Sequence, residues 1–191
     1  MRRLLAVACA LVVCLACSEP PQKEIDRAQG AIDAARAAGA DQYAPEAFTA
    51  ATSALQQAHD AVAQRDYRLA LSRALDANER ALEAAKEAAN GKARARSEVE
   101  GMLTMTQSSI RQLETKLKAA EAARLPQLER GRKLRADSQR GLQEARAAVK
   151  DGNYLTAIGR VKDVPGKIAE EIRTIDEAMV ARASRTSRRR R

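Results

Sequence analysis

The apolar positions of residues 55–75 recur 87 residues later in the chain. In the first copy, apolar residues three and four positions apart predict an amphipathic helix, which ends at a polar break of three residues. A second helix with the same spacing follows the break. The matched pairs are Leu55/Leu142, Ala58/Ala145, Val62/Val149, Tyr67/Tyr154, Ala70/Ala157, Leu71/Ile158 and Arg73/Arg160.

Each copy predicts two antiparallel helices joined by a short turn. Asp66 and Asn153 are residue types that favour the N-cap, so Tyr67 and Tyr154 are predicted to begin the second helix of each pair. A break of about three residues makes the two helices neighbours, as in an αα-hairpin. The pattern resembles the middle of a tetratricopeptide repeat. Because the period is 87 residues and not 34, it indicates similar packing and not an array of that family.

The segment before the first copy predicts two further helices. Residues 24–38 carry apolar residues on one face, and Gly39 is placed to end that helix. The motif Tyr43-Ala44-Pro45-Glu46 then suits a helix start, because proline is favoured at the first helical position. This second helix is expected to reach about Ala63.

A stripe of alanines follows Tyr67 at alternating steps of three and four residues, the spacing of a coiled coil. We expect a helix over residues 67–124, bent or broken near Gly91. Leu71, Leu75 and Leu82 flank the stripe and are expected to supply much of the burial, whereas an exposed alanine-rich face is expected to engage a partner. The alanine stripe comprises Ala70, Ala74, Ala77, Ala81, Ala84 and Ala88.

The second half begins at a boundary marked by Pro126. A helix leads from there into the second copy, and a long apolar face continues after Tyr154. Pro165-Gly166 is predicted to kink this last helix, with a complete break as the alternative. The basic residues after Arg182 lack the apolar spacing, so this end is predicted to be disordered.

Together these patterns predict an all-α fold, an elongated antiparallel bundle of two TPR-like hairpins joined by a long helix. Aromatic residues are only 2% of the 191 residues and alanine dominates the apolar ones, which favours long helices over a thick core. The predicted segments are 1–16 (signal peptide), 17–23 (tether), 24–96 (first helical repeat), 97–182 (second repeat with a coiled-coil-like connecting helix) and 183–191 (disordered basic tail).

The first 17 residues have the pattern of a secretory signal peptide, with two arginines before an apolar run too short to span a bilayer. All three cysteines lie there, namely Cys9, Cys14 and Cys17. Leu15-Ala16-Cys17 resembles a bacterial lipoprotein cleavage site, so lipidation of Cys17 with acyl chains such as palmitate is expected. Cleavage at Cys14 and an ordinary signal peptide cut near Ala16 are the alternatives. Ser18 after the cysteine points to the periplasmic face of the outer membrane.

The body of the chain resembles a bacterial lipoprotein family that carries a helical domain of unknown function. The resemblance covers about residues 20–90 and rests on Tyr43-Ala44-Pro45-Glu46 and on the later turn Asp66-Tyr67-x-x-Ala70. It implies a periplasmic, membrane-tethered helical module with no accepted activity.

The net charge of +9 comes mainly from the two ends of the chain. Without Arg2, Arg3 and five C-terminal arginines the remainder is nearly balanced. The C-terminal cluster either binds an acidic cell-wall polymer or lipid headgroups, or is a solubilising end. An exported protein is not expected to bind nucleic acid. The clustered residues are Arg185, Arg188, Arg189, Arg190 and Arg191.

Residues with catalytic potential are few in this sequence. His59 is the only histidine and lacks partners at metal-ligand spacing, and the carboxylates alternate with basic residues as on a solvated helix face. Tyr43, Tyr67 and Tyr154 are interpreted as packing residues at turns, with a ligand-facing cluster as the alternative. We therefore expect no catalysis, cofactor or metal.

We expect a tethered structural or adaptor module that binds an unidentified envelope protein or polymer. Binding of an acidic polymer through the basic tail is the alternative function. Because the alanine stripe is thin, association of several copies is a third hypothesis.

Overall fold

The computed structural model describes residues 19–125 and 128–189, and these residues form seven helices with no strand among them. The prediction of an all-α fold is therefore confirmed. The helices are α1 (Gln22–Ala37), α2 (Ala40–Tyr43), α3 (Pro45–Ala63), α4 (Tyr67–Ala122), α5 (Leu128–Lys150), α6 (Tyr154–Val161) and α7 (Val164–Arg189).

The chain divides into two compact units between Gly91 and Lys92. The first unit packs α1 and α3 against residues 67–91 of α4, with the short helix α2 at one end. Its interior is made mostly of alanine, and Ile32 is its largest fully buried side chain. The main cluster contains Ile25, Ala28, Ile32, Ala51, Ala54, Leu55, Ala58, Ala74, Ala77 and Ala81.

The second unit contains residues 92–122 of α4 with α5, α6 and α7. Its core is built from larger side chains, because Leu113, Ile168, Val99 and Val161 are all fully buried. Ion pairs join its helices at the edges of this core: Lys116 Nζ lies 2.6 Å from Asp176 Oδ1, Arg132 Nη2 2.9 Å from Glu121 Oε1, and Arg160 Nη1 3.4 Å from Glu144 Oε2.

The backbone of the turn repeats along with the sequence. Both turns are Schellman motifs, in which a residue with positive φ ends the helix: Arg65 at 61° and Gly152 at 77°. Two backbone hydrogen bonds close each turn, and the residue numbers in the second turn are those in the first turn plus 87. The bonds run from Arg65 N–H to Val62 O (2.9 Å), Asp66 N–H to Ala61 O (2.9 Å), Gly152 N–H to Val149 O (3.0 Å) and Asn153 N–H to Ala148 O (2.8 Å).

Buried residues also coincide between the copies. Ala58, Ala145, Ala70 and Ala157 are all 0% exposed. In the second copy Ala145 and Ala157 belong to one buried cluster, and small side chains at such positions allow the backbones to approach closely beside the turn. The repeat is therefore one of local structure as well as of sequence.

The predicted long helix forms as α4 and continues through Gly91, so of the predicted bend or break there the break is excluded. Gly91 is instead required by packing, because an added Cβ would lie 2.7 Å from the carbonyl oxygen of Tyr43. At Pro165 the chain does break, which was the alternative to a kink. The segment α6 ends at Val161 and α7 begins at Val164, so the proline lies in a first turn, where no N–H is needed.

The predicted disorder of residues 183–191 was wrong for residues 183–189, which continue α7. Extending an existing helix costs little, and arginine and alanine are good helix formers. Arginines at a helix C-terminus also interact favourably with the helix dipole. Upstream, Arg182 Nη1 donates to the carbonyl oxygen of Arg124 (3.3 Å), which satisfies an acceptor at the end of α4.

Candidate functional site: an exposed leucine stripe

The alanine stripe forms the inner face of α4 in the first unit. All six of its alanines are 0% exposed. The hypothesis that this alanine-rich face engages a partner is therefore wrong, because α1 and α3 already cover it. Its small side chains leave room for little else between the helices.

The leucines that flank the alanine stripe are exposed, so the prediction that they supply much of the burial was also wrong. Leu71, Leu75 and Leu82 are 38%, 49% and 61% exposed. Since alanine sets a close distance between the helices, side chains one position further around α4 remain on the flank of the unit and in contact with solvent.

These leucines belong to a second heptad pattern that the sequence analysis missed. Positions 71, 75, 78, 82, 85 and 89 alternate steps of four and three, each one residue after a member of the alanine stripe. We call this set the leucine stripe. Its side chains are either exposed or half-buried, and they are Leu71, Leu75, Asn78, Leu82, Ala85 and Ala89.

The motif Tyr43-Ala44-Pro45-Glu46 forms a packed corner of the first unit. Pro45 is the first residue of α3, as predicted. Tyr43 is half-buried against buried alanines and lies close to two glycines: an added Cβ would lie 3.2 Å from Tyr43 Cδ2 at Gly39 and 2.7 Å from Tyr43 O at Gly91. The motif therefore has a structural role in joining α1, α3 and α4.

The two predicted N-caps differ in their side-chain bonds. Asp66 Oδ1 accepts a hydrogen bond from Leu69 N–H (2.9 Å), whereas Asn153 makes no capping bond through its side chain. Tyr67 and Tyr154 begin α4 and α6 as predicted, and both are half-buried. Tyr154 packs against the cluster that includes Val99 of the second unit.

Basic residues are concentrated in the second unit and not only in the tail. Residues 19–91 contain 8 basic and 12 acidic residues, a net charge of −4, whereas residues 92–191 contain 24 basic and 13 acidic residues, a net charge of +11. Arg185 and Arg188 are exposed on α7. Arg189 ends that helix, and Arg190 and Arg191 lie outside the described residues. Arg96 Nε donates a hydrogen bond to Glu100 Oε1 (3.0 Å), which raises the pKa of Arg96, so this guanidinium stays charged.

A buried carboxylate in the second unit was not predicted. Glu171 is 2% exposed, and its Oε2 lies 3.0 Å from Nε of the exposed Arg130, without hydrogen-bond alignment. A cavity of about 10 Å³ beside it, lined by Leu125 and Leu128 among others, has room for one water molecule at most. The apolar periodicity around Ile168 and Ile175 indicates that position 171 faces inward, which is the signal that could have found it.

In the described part of the chain, the remaining candidates for catalysis or metal binding do not lie together. His59 is exposed on α3, and its neighbour Asp60 accepts a hydrogen bond from Gln56 (2.9 Å). Within residues 19–125 and 128–189, His, Asp and Glu form no group of three that could hold a metal. No helix in that part of the chain is both long and apolar enough to cross a bilayer. Cys9, Cys14 and Cys17 lie outside the described residues.

The comparisons with known proteins place a family match on the first unit and the first residues of the second. Neither the curated proteins nor the solved structures give a match to this chain. Residues 23–99 match the family model described as a domain of unknown function (DUF4398), which covers α1, α2, α3 and the first part of α4. The chain therefore contains a DUF4398 domain, and the candidate site described above lies within it.

Proposed function

We propose that this chain is a non-catalytic helical lipoprotein, tethered to the periplasmic face of the bacterial outer membrane, that acts as a structural or adaptor module. The observation that carries the adaptor role is the leucine stripe, because half-exposed leucines at heptad spacing are typical of surfaces that bind another helix. The tether is supported by the leader and by Cys17 alone.

The tether is tested by fractionating cells that express the Cys17→Ala variant of the full chain. We expect the wild-type protein in the outer-membrane fraction and the variant lost from it, since acyl chains contribute about 0.8 kcal/mol per buried CH₂. Cys14→Ala is the matched control and should fractionate as wild type. If the Cys14→Ala variant is lost from the outer-membrane fraction instead, the lipidated residue is Cys14. A Cys17→Ala variant that fractionates as wild type would refute the tether at Cys17.

The alternative function is binding of acidic cell-wall polymer or lipid headgroups through basic residues. The charge of +11 on residues 92–191 and the continuation of α7 to Arg189 favour it, because a helix presents arginines at fixed spacing. Each basic residue near an anionic surface contributes about 1 kcal/mol.

Glutamine substitution of the five C-terminal arginines tests this alternative by co-sedimentation with isolated cell wall and with anionic vesicles. Glutamine keeps helix propensity while removing charge. The control replaces five exposed lysines of the second unit with glutamine: Lys118, Lys133, Lys150, Lys162 and Lys167. Binding lost only in the arginine variant supports a tail site, equal loss in both indicates non-specific charge attraction, and no loss in either excludes the alternative.

A further inference from the structure

The leucine stripe has the features of a surface that pairs with a copy of itself. Large side chains occupy its first two positions, Leu71 and Leu75, and small ones occupy its last two, Ala85 and Ala89, with Asn78 and Leu82 between them. In antiparallel alignment Leu71 faces Ala89 of the second copy and Leu75 faces Ala85. Leu71 and Leu75 then each meet an alanine, whereas parallel alignment sets leucine against leucine and alanine against alanine.

Charge along α4 favours the same alignment. Residues 67–78 carry a net charge of +1 and residues 79–91 a net charge of −1, so antiparallel helices bring opposite ends together and parallel helices bring like ends together. The helix segment as a whole is neutral and does not repel a second copy. Its charged residues are Arg68, Arg73, Asp76, Glu79, Arg80, Glu83, Lys86 and Glu87.

Asn78 interrupts the apolar stripe. It is half-buried and is the only polar member of the stripe. In this alignment it faces Leu82 of the second copy, next to the two-fold axis. Since leucine offers the amide no hydrogen-bond partner, Asn78 lowers the stability of the contact and does not fix its register.

We propose that two copies of this chain associate through their leucine stripes, with the two α4 segments antiparallel about a two-fold axis. An isologous contact of this kind closes on itself, so it makes dimers and not filaments. The association depends on the first unit and does not require the membrane tether of the proposed function.

The dimer is tested by sedimentation velocity of the purified full chain in a mild detergent over a range of concentrations. We expect reversible dimerisation of the wild-type chain, weakened at least about tenfold in Leu75→Lys and Leu82→Lys. Leu155→Lys, at a leucine 44% exposed in the second unit, is the matched control and should dimerise as wild type. Circular dichroism of each variant confirms that its helices are retained.

Cross-linking under mild oxidation tests the alignment. The L75C/A85C double variant should form disulfide-linked dimers. The yield of cross-linked dimer from L75C alone should not exceed that of the wild-type chain, in which only the leader cysteines can react. Efficient cross-linking of L75C alone indicates parallel pairing and overturns the proposed alignment. A wild-type chain that stays monomeric, or stripe variants that dimerise unchanged, overturns the dimer itself and indicates a different protein as the occupant of the stripe, which leaves the adaptor role standing.

Discussion

Gly91 lies inside the 56-residue helix α4, where glycine is about 1 kcal/mol less favourable than alanine. Its presence is explained by the 2.7 Å separation between an added Cβ and the carbonyl oxygen of Tyr43. That oxygen belongs to the backbone, so it moves only if the corner between α1 and α3 shifts. The same residue that suggested a helix break is therefore a close-packing residue.

Gly91→Ala is expected to lower the free energy of unfolding by about 1–2 kcal/mol, because the clash outweighs the gain in helix propensity. Gly101→Ala, in the same helix but with no atom near the added Cβ, should raise it by about 0.5–1 kcal/mol. Urea unfolding followed by circular dichroism measures both. Equal stabilisation of the two variants would show that the backbone at Tyr43 moves to accommodate the added Cβ without loss of stability.

The equivalent turn positions Arg65 and Gly152 provide a second comparison. Both have positive φ, but only Gly152 lacks the Cβ that makes this conformation unfavourable. We expect Arg65→Gly to stabilise the chain by about 1 kcal/mol and Gly152→Ala to destabilise it by about the same amount. An added Cβ at Gly152 meets no atom within 4 Å, so the effect is one of backbone conformation. The measurement is the thermal unfolding temperature of each variant. A shift in the same direction in both variants would contradict this expectation.

At the scale of the element, apolar periodicity was sufficient to locate most helices. Pro45 and Gly39 marked helix ends correctly, and the 87-residue repeat predicted both hairpins. The short helix α2 was missed because its four residues carry no periodic signal.

Which face of α4 is buried was also missed, since the alanine and leucine stripes have the same spacing one residue apart. Burial of leucine gains more free energy per side chain, but the distance between the helices decides which stripe fits, and that distance depends on α1 and α3.

The contact between α5 and α7 contains the buried Glu171 and the exposed Arg130. Arg130→Ala leaves a buried carboxylate without its cation and is expected to cost about 1–3 kcal/mol, less than for a fully buried pair because water reaches Arg130. Replacing both residues with methionine should restore stability to within about 1 kcal/mol of wild type. Urea unfolding of the single and double variants measures this, and a double variant less stable than Arg130→Ala would contradict it.

At the scale of the whole molecule, the candidate site was only partly accessible to sequence reasoning. The turn residues and the C-terminal arginines could be named, but the leucine stripe required knowledge of which face packs inward. The charge difference between the two units also emerged only when the boundary was found at Gly91, since the body as a whole is nearly neutral. Exposed leucines lie on an acidic unit and excess arginine and lysine on the other, and from this difference we propose separate binding roles for the two units.

The free energy of unfolding of the Leu75→Ala/Leu82→Ala double variant tests most directly whether α4 buries its alanines and exposes its leucines. It is measured by urea denaturation at concentrations where the chain is monomeric. Because both leucines are about half exposed or more, we predict a loss of no more than about 1.5 kcal/mol. Core leucines cost about 2–5 kcal/mol each on truncation, so a loss of 4 kcal/mol or more would contradict the account.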